Sequence, residues 1–188
     1  MDNGAYNYER FINGEMEGLE EIVKEYRDGI MLFANGIVHN LDIAEEVAED
    51  TFVKLVVKKP HFMKKSKFKT WLYKIARNIA LDYIRKSNKY SCTDNENTGV
   101  FSNKTSVTEI FENSYLLEER KIAVHKALKN LNSDYRQVLY LSYFEELGNS
   151  QIATIMKKTN RQIENIIYRA KQSLRKELEK GEIDYEDI

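Results

Sequence analysis

Cations, aromatic rings and an amide recur between residues 62 and 85, where they could act together on a nucleic acid strand. Cations neutralise phosphates, rings stack on unpaired bases, and an amide can hydrogen-bond to a base edge. This combination favours a surface for single-stranded or opening DNA with an exposed Phe62, although a tryptophan at helical spacing also suits a protein core. The candidate residues are Phe62, Lys64, Lys65, Lys67, Trp71, Lys74, Asn78 and Arg85.

A second group of polar residues lies at the start of the last predicted helix. Their outward side chains could enter a major groove, where each well-placed bidentate contact contributes about 1–3 kcal/mol of base discrimination. Glu164 stands among them; it could accept a hydrogen bond from cytosine, but it would repel phosphate. The other candidates are Arg161, Gln162, Asn165, Tyr168 and Arg169.

Four carboxylates, Glu45, Glu46, Glu49 and Asp50, cluster near one end of another predicted helix. They repel one another unless a basic partner comes close, and this indicates a docking face. The alternative is a favourable interaction with the positive end of the helix dipole, which accounts for part of the pattern.

Charge is segregated along the chain. Residues 1–56 hold four Lys or Arg and thirteen Asp or Glu, whereas residues 57–90 hold eleven Lys or Arg and only Asp82. This asymmetry favours two partner surfaces, one for something basic and one for a polyanion. A pair of solvated faces that attract each other would give the same pattern.

Two predicted helices must position the strand-binding candidates and the four clustered carboxylates. One spans residues 42–58, with Asp42 and Glu45 as a variant capping box and Pro60 after its end. The other spans residues 66–86, and the candidate cations and Trp71 lie about a third of a turn from its apolar side. The predicted buried positions are Ala44, Val47, Ala48, Thr51, Phe52 and Leu55 in the first helix, and Phe68, Leu72, Ile75, Ile79 and Tyr83 in the second.

The second half of the chain predicts helices over residues 116–131 and 133–147, the latter ended by Gly148. A short helix over 149–156, a turn over 157–159 and a long helix from Asn160 to about Leu178 then have helix-turn-helix spacing. Thr159 with Gln162, or Asn160 alone, can cap the last helix. Two short helices with a tight connection also occur in proteins that never touch DNA.

The predicted fold is all-α, with two small helical domains joined by a flexible linker. With one proline, eight glycines and helical periodicity almost throughout, strands are not expected. A polar segment without apolar periodicity marks the linker. The predicted boundaries are 6–89 for the first domain, 90–112 for the linker, 113–178 for the second domain with its helix-turn-helix, and 179–188 for an acidic tail.

Several function classes are disfavoured. A single cysteine excludes an internal disulfide, and three widely separated histidines give no local ligand motif, so we expect no metal and no cofactor. The sequence has neither a phosphate-binding glycine loop nor a nucleophile motif, so we expect no enzyme. With no apolar run long enough to span a bilayer and no signal peptide, we expect a cytoplasmic protein.

Several segments of the sequence resemble a known family. Residues 44–55, 68–78 and 82–85 resemble the second conserved region of extracytoplasmic-function sigma factors, the promoter-specificity subunits of bacterial RNA polymerase. Residues 131–139, Ile152-Ala153 and Tyr168-Arg169-Ala170 resemble the fourth region of that family, in the same order. The resemblance covers both predicted domains and leaves out the termini and the linker.

The resemblance implies a role for each group. Glu46, Glu49, Phe52 and Leu55 would dock on a coiled-coil of the largest polymerase subunit. Phe62 and Asn78 would line a pocket for a base extruded from the minus-ten element. Lys67, Trp71, Lys74 and Arg85 would contact the backbone and separate the strands, and the helix-turn-helix would read the minus-thirty-five element.

The family also implies the partners: core RNA polymerase, through its coiled-coil and flap, promoter DNA and an anti-sigma factor. No stable membrane insertion is implied. The sequence departs from the family pattern at Glu49, where Gln is common, at Glu164 and Ile166, where basic residues are common, and at Asn132, where proline is frequent. We therefore expect an unusual minus-thirty-five sequence.

Two other functions stay open. A free-standing helix-turn-helix repressor explains residues 149–178 but leaves the Phe62 loop and the segment around Trp71 without a role. A decoy that captures an anti-sigma partner would need no effect of Phe62 or Asn78 on transcription.

Overall fold

Every regular element of the described residues, 2–91 and 127–180 of the computed structural model, is helical, which confirms the all-α fold class. The predicted linker, most of the helix over 116–131 and most of the acidic tail lie outside these residues. The elements are α1 (Asn3–Ile12), α2 (Met16–Val38), α3 (Leu41–Lys58), α4 (Phe68–Ser91), α5 (Ser133–Leu139), a π-helical turn (Tyr140–Phe144), α6 (Asn149–Met156) and α7 (Asn160–Glu179).

Helix α3 follows the predicted stripe but has a different cap. The side chain of Asn40 accepts a hydrogen bond from the Ile43 amide at 2.9 Å, so the predicted Asp42–Glu45 capping box is wrong. The helix ends at Lys58, and Lys59 adopts a left-handed conformation with φ 41°. All the predicted core positions are confirmed as buried: Ala44, Val47, Ala48, Thr51, Phe52 and Leu55.

Helix α4 begins at Phe68, two residues later than predicted, because the Phe68 amide donates to the Asp2 carboxylate at 2.7 Å. Its apolar side is confirmed: Phe68 and Leu72 are fully buried, and Ile75, Ile79 and Tyr83 pack partly buried against the same core. The Tyr83 hydroxyl donates to Asp50 at 2.9 Å and ties α4 to α3.

The predicted helix over 133–147 is broken. Helix α5 ends at Leu139, the π-helical turn follows, and Glu146 has a positive φ of 53°. Gly148 does not end this helix as predicted; it precedes α6, and its amide donates to the Gln151 side chain at 3.1 Å. The chain leaves the helix because Glu145 turns towards Lys69, with which it pairs at 2.6 Å.

The helix-turn-helix elements agree with the prediction. Helix α6 has the predicted bounds. The Thr159 hydroxyl accepts from the Gln162 amide at 3.2 Å, and the Gln162 side chain accepts from the Thr159 amide at 2.8 Å, so the capping box of α7 is confirmed. Ile163 and Ala170 of α7 are buried on its inner side.

The C-terminal helices pack on the N-terminal ones, α6 on α4 and α5 on α2. Phe33 of α2 lies 5.4 Å from the Tyr73 ring and 6.1 Å from the Tyr140 ring, centroid to centroid. Arg77 donates to Gln137 at 2.7 Å in a buried contact. The described parts of the two predicted domains therefore share one apolar cluster.

Candidate nucleic-acid and protein interfaces

The candidate strand-binding surface is built on four aromatic rings. Phe62 meets Phe68 edge to face at 5.6 Å and lies 5.2 Å from Trp71, while Tyr8 lies 5.5 Å from Phe68 and 5.3 Å from Trp71. These pairs have the separations that aromatic rings prefer. Phe62 is therefore half-buried in a cluster, not exposed as predicted, and Trp71 is half-buried beside it.

Lysines surround this cluster. Residues 59–67, the opening loop, connect α3 to α4, and the side chains of Lys64, Lys65 and Lys67 are exposed. Lys64 has φ 54° and pairs with Glu9 at 2.8 Å. Because both members of this pair are exposed, their interaction is weak.

Helix α4 carries the rest of the predicted strand-binding row, which consists of Trp71, Lys74, Asn78, Asp82 and Arg85. Lys74 and Asn78 are half-buried, whereas Arg85 is exposed and pairs with Asp82 at 2.6 Å. With a rise of 1.5 Å per residue, the row from Trp71 to Arg85 is about 21 Å long. The Asp82 carboxylate lies in this row, and its pairing with Arg85 offsets part of its charge.

Two cations counted in the basic segment face inwards. Arg77 is only 9% exposed, and burial lowers the pKa of its guanidinium. Lys69 pairs with Glu145. Both were predicted as part of a polyanion-binding segment. Thr70, Tyr73 and Arg77 nevertheless recur at helical spacing, and they lie on a different face of α4 from Trp71 and Lys74. That spacing was a usable signal for a second buried side of α4.

The residues of α7 that were predicted to contact a major groove all face solvent, including Glu164. The Gln162 side chain already has one hydrogen-bond partner, because its oxygen accepts from the Thr159 amide. Its amide nitrogen is the group that it can offer to a base. The exposed set consists of Arg161, Gln162, Glu164, Asn165, Tyr168 and Arg169.

The acidic face of α3 is smaller than the sequence indicated. Arg27 pairs with Glu45 at 2.5 Å, and Asp50 accepts from Tyr83, so these two carboxylates have partners within the chain. Glu46 and Glu49 are exposed together on the same helix.

Two members of the predicted docking set lie in the core. Leu55 is completely buried and Phe52 is 8% exposed, because both belong to the core stripe of α3, and their docking role stays a prediction. Instead Val53, Val56 and Val57 are exposed on the outer side, with Val57 at 66%. The helical spacing that predicts Phe52 and Leu55 on the inner side of α3 also predicts these valines on its outer side.

The described parts of the chain contain no group of three or more His, Cys, Asp and Glu side chains placed to hold a metal ion. Within those same ranges, no helix has the length and apolar character needed to cross a membrane.

Comparison with known proteins matches both halves of the chain. Residues 22–90 match the family model of sigma-70 region 2, and residues 121–174 match that of sigma-70 region 4. Together the two matches cover more than half of the chain.

Individual relatives are similar over nearly their whole length. The ECF RNA polymerase sigma factor SigW of Bacillus subtilis is 29% identical, with 88% of this chain and 91% of the relative covered. The RNA polymerase sigma-H factor of Pseudomonas aeruginosa is 28% identical, with 91% of each chain covered. A solved structure of the sigma factor RpoE with the anti-sigma factor NepR, from Bartonella quintana, has the same fold, with a TM-score of 0.68, 23% identity and coverage of 85% of this chain and 96% of that chain.

Proposed function

The chain belongs to the extracytoplasmic-function group of bacterial RNA polymerase sigma factors, and on that premise we propose how its surfaces direct promoter-specific transcription initiation. The outer face of α3 docks on core polymerase, the opening loop and α4 separate the strands of the minus-ten element, and α7 reads the minus-thirty-five element. The chain is a regulatory initiation factor that performs no covalent step, and it acts with polymerase in the cytoplasm.

The half-buried pair of Phe62 and Trp71 beside exposed lysines is the observation that carries this proposal. Extruding a base costs a few kcal/mol. Stacking on an aromatic side chain returns about 1–3 kcal/mol per base, and phosphate contacts from Lys64, Lys65 and Lys67 add to this. Because the two rings are already held by Phe68 and Tyr8, little further ordering is needed when a base arrives.

Docking on core polymerase uses charge and apolar area together. Glu46 and Glu49 meet a basic surface of the coiled-coil, and the exposed Val53, Val56 and Val57 are covered on binding. Rim charges of this kind mainly steer association and set its orientation. A second contact, between the C-terminal helices and the polymerase flap, completes the attachment.

Duplex reading by α7 rests on its exposed N-terminal half. Arg161, Asn165, Tyr168 and Arg169 are the base and phosphate contacts, and Gln162 contributes through its amide nitrogen. Glu164 adds an acceptor that suits cytosine. We further propose that residues 6–89 and 113–178 act as two domains, each with its own DNA element, joined by residues 90–112.

An anti-sigma factor is a further proposed partner. Two similar solved structures are sigma factors bound to anti-sigma factors, RpoE with NepR and CnrH with the cytosolic domain of CnrY, the latter with a TM-score of 0.66 over 95% of this chain. This likeness supports a regulator that holds the chain inactive.

The test uses holoenzyme assembled from the full chain and core polymerase, with promoter fragments selected from a randomised pool. On a fork-junction fragment that exposes the single-stranded minus-ten element, Phe62→Ala should weaken binding about five- to hundredfold, since stacking on one ring contributes about 1–3 kcal/mol. Met63→Ala is the matched control, because Met63 is the next residue of the same loop and is 59% exposed. Equal effects of the two changes would refute a base-stacking role for Phe62, and strong specific binding by the chain without polymerase would favour a repressor.

A further inference from the structure

The N-terminal segment contacts the opening loop at two points and the start of α4 at a third. The Tyr8 hydroxyl of α1 donates to the Pro60 carbonyl at 2.7 Å, and Glu9 of α1 pairs with Lys64 at 2.8 Å. The carboxylate of Asp2, the residue before α1, accepts from the Phe68 amide, directly after the loop, at 2.7 Å.

Asp2 joins the starts of two helices. One of its carboxylate oxygens accepts from the Ala5 amide of α1 at 3.2 Å, and the other accepts from the Phe68 amide of α4. A carboxylate near a helix N-terminus is stabilised by unpaired amides and by the helix dipole, and here two helices contribute. The start of α4, which carries Trp71 one turn further on, is therefore fixed relative to α1.

Tyr8 combines a packing role with a polar one. Its ring lies against those of Phe68 and Trp71, and the side chain is 3% exposed, so it cannot itself contact DNA. The hydroxyl donates to Pro60, and burial raises the pKa of Tyr8 to about 12, still further above neutral pH than the ordinary tyrosine value.

The opening loop is not packed solidly against α1. A cavity of about 320 Å³ lies between them, and its lining includes Tyr8, Glu9, Phe62 and Lys64. Beside this gap, the loop is held by the packing of Phe62 on Phe68 and Trp71 and by polar contacts with α1. Of the two polar contacts that the loop itself makes with α1, the Glu9–Lys64 pair is exposed and weak, so the Tyr8 hydrogen bond to Pro60 is the stronger polar restraint.

We propose that Tyr8 is a positioning residue for strand opening, because its hydroxyl holds the start of the opening loop so that Phe62 faces Trp71 in the arrangement that accepts an extruded base. This inference rests on the base-capturing role proposed above for Phe62 and Trp71. Helix α1 lies before residues 22–90, the segment that matches sigma-70 region 2, so the match itself assigns no role to Tyr8.

Tyr8→Phe in the full chain tests the proposal, since it removes the hydroxyl and keeps the ring. Holoenzyme is titrated with single-stranded minus-ten oligonucleotides that are intact or abasic at each position in turn. With the unchanged chain, the base whose removal weakens binding most identifies the captured base; if no single base matters, the base-capturing function itself fails and the Tyr8 proposal falls with it.

For the intact oligonucleotide, Tyr8→Phe should weaken binding about two- to twelvefold, the effect of one lost hydrogen bond of about 0.5–1.5 kcal/mol. For the oligonucleotide that lacks the captured base, it should have no effect. Tyr6→Phe is the matched control on the same helix, because Tyr6 is 54% exposed and only its ring has a contact, with Arg10. Equal weakening of intact and abasic binding would mean a merely structural role for Tyr8 and would overturn the proposal.

A spectroscopic readout separates positioning from folding. Trp71 is the only tryptophan of the chain, so its fluorescence reports on the ring cluster alone. With Tyr8→Phe, quenching of Trp71 by acrylamide should increase while the far-ultraviolet circular dichroism stays the same. If quenching and oligonucleotide binding both match the unchanged chain, the hydroxyl does not position the loop.

Discussion

At the scale of single residues, two glycines of α2 show how contacts between distant helices decide the effect of one methyl group. A Cβ at Gly29 would overlap the hydroxyl of the fully buried Tyr73 and lie 2.8 Å from a Glu145 carboxylate oxygen. A Cβ at Gly36 would meet nothing closer than the Arg136 Cβ at 3.9 Å.

Helix propensity alone predicts that alanine stabilises both positions, by up to about 1 kcal/mol each. We expect this for Gly36→Ala, whereas Gly29→Ala should lower the free energy of unfolding by about 1–3 kcal/mol, because Tyr73 cannot move out of a packed core. Urea unfolding of the full chain measures both. Equal stabilisation by the two changes would show that α4 and residue 145 do not approach α2 as described.

The exposure of residues could be predicted from the sequence where the signal was local. The exposed set on α7 follows from helical spacing and a cap of adjacent residues, Thr159 and Gln162, and the structure places it as predicted. The exposure of Phe62 could not be predicted, because Phe68, Trp71 and Tyr8 reach it from other elements. Asn40 and Asp42 are both good capping residues, and which of them caps α3 depends on how the chain enters α3 from α2.

At the scale of elements, the end of α2 meets α5 through a contact that depends on pH. Arg136 lies 2.7 Å from the Nε2 atom of His39, which has a left-handed backbone with φ 58°. A neutral imidazole can accept this hydrogen bond, but a protonated one cannot. Burial, and then the charge of Arg136, lower the pKa of His39 in the folded chain.

The unfolded chain therefore binds this proton more readily than the folded chain. The stabilising contribution is complete above the ordinary histidine pKa of about 6.5 and is lost as the pH falls below it. The free energy of unfolding should decrease more between pH 7.5 and 5.5 for the unchanged chain than for His39→Asn, since asparagine tolerates a left-handed backbone and does not titrate. The difference is small because the burial of His39 is only partial, and an identical pH dependence of the two proteins would contradict the assignment.

Element boundaries that are set by neighbouring residues could be predicted, and a boundary set by a distant residue could not. The bounds of α6 and the start of α7 are set by nearby residues and were predicted correctly. The break after α5 was not, because Glu145 pairs with Lys69, a residue 76 positions earlier in the chain. Periodicity within residues 133–147 contains no sign of that partner.

At the scale of the whole molecule, the segregated charges fall into two groups. Lys64, Lys65 and Lys67 of the opening loop are exposed, whereas Arg77 and Lys69 contact Gln137 and Glu145 in the C-terminal half. The acidic residues of α3 likewise divide between Glu45 and Asp50, which have partners within the chain, and Glu46 and Glu49 on the outer face. Part of the charge therefore holds the chain together, and the use of the exposed part by partners stays a prediction.

The prediction of two domains joined by a linker stays a prediction, since the linker lies outside the described residues. The packing of α5 and α6 on the N-terminal helices could not be read from the sequence, because contacts such as Arg77 with Gln137 join residues far apart in the chain. What did follow from the sequence was the order of the elements: α3, the connection over 59–67, α4 and the helix-turn-helix of α6 and α7.

The central claim is that the outer face of α3 attaches this chain to core RNA polymerase and so brings the opening loop to promoter DNA. Its most direct test is the affinity of the full chain for core polymerase, measured beside promoter-specific transcription for Glu46→Lys with Glu49→Lys and for the control pair Glu20→Lys with Glu21→Lys, exposed carboxylates on α2. We expect tight binding by the unchanged chain and by the control pair. For the α3 pair we expect at least about tenfold weaker binding with loss of transcript, since like charges opposed across an interface cost several kcal/mol. Absence of binding by the unchanged chain, or equal binding by both pairs, would contradict the claim.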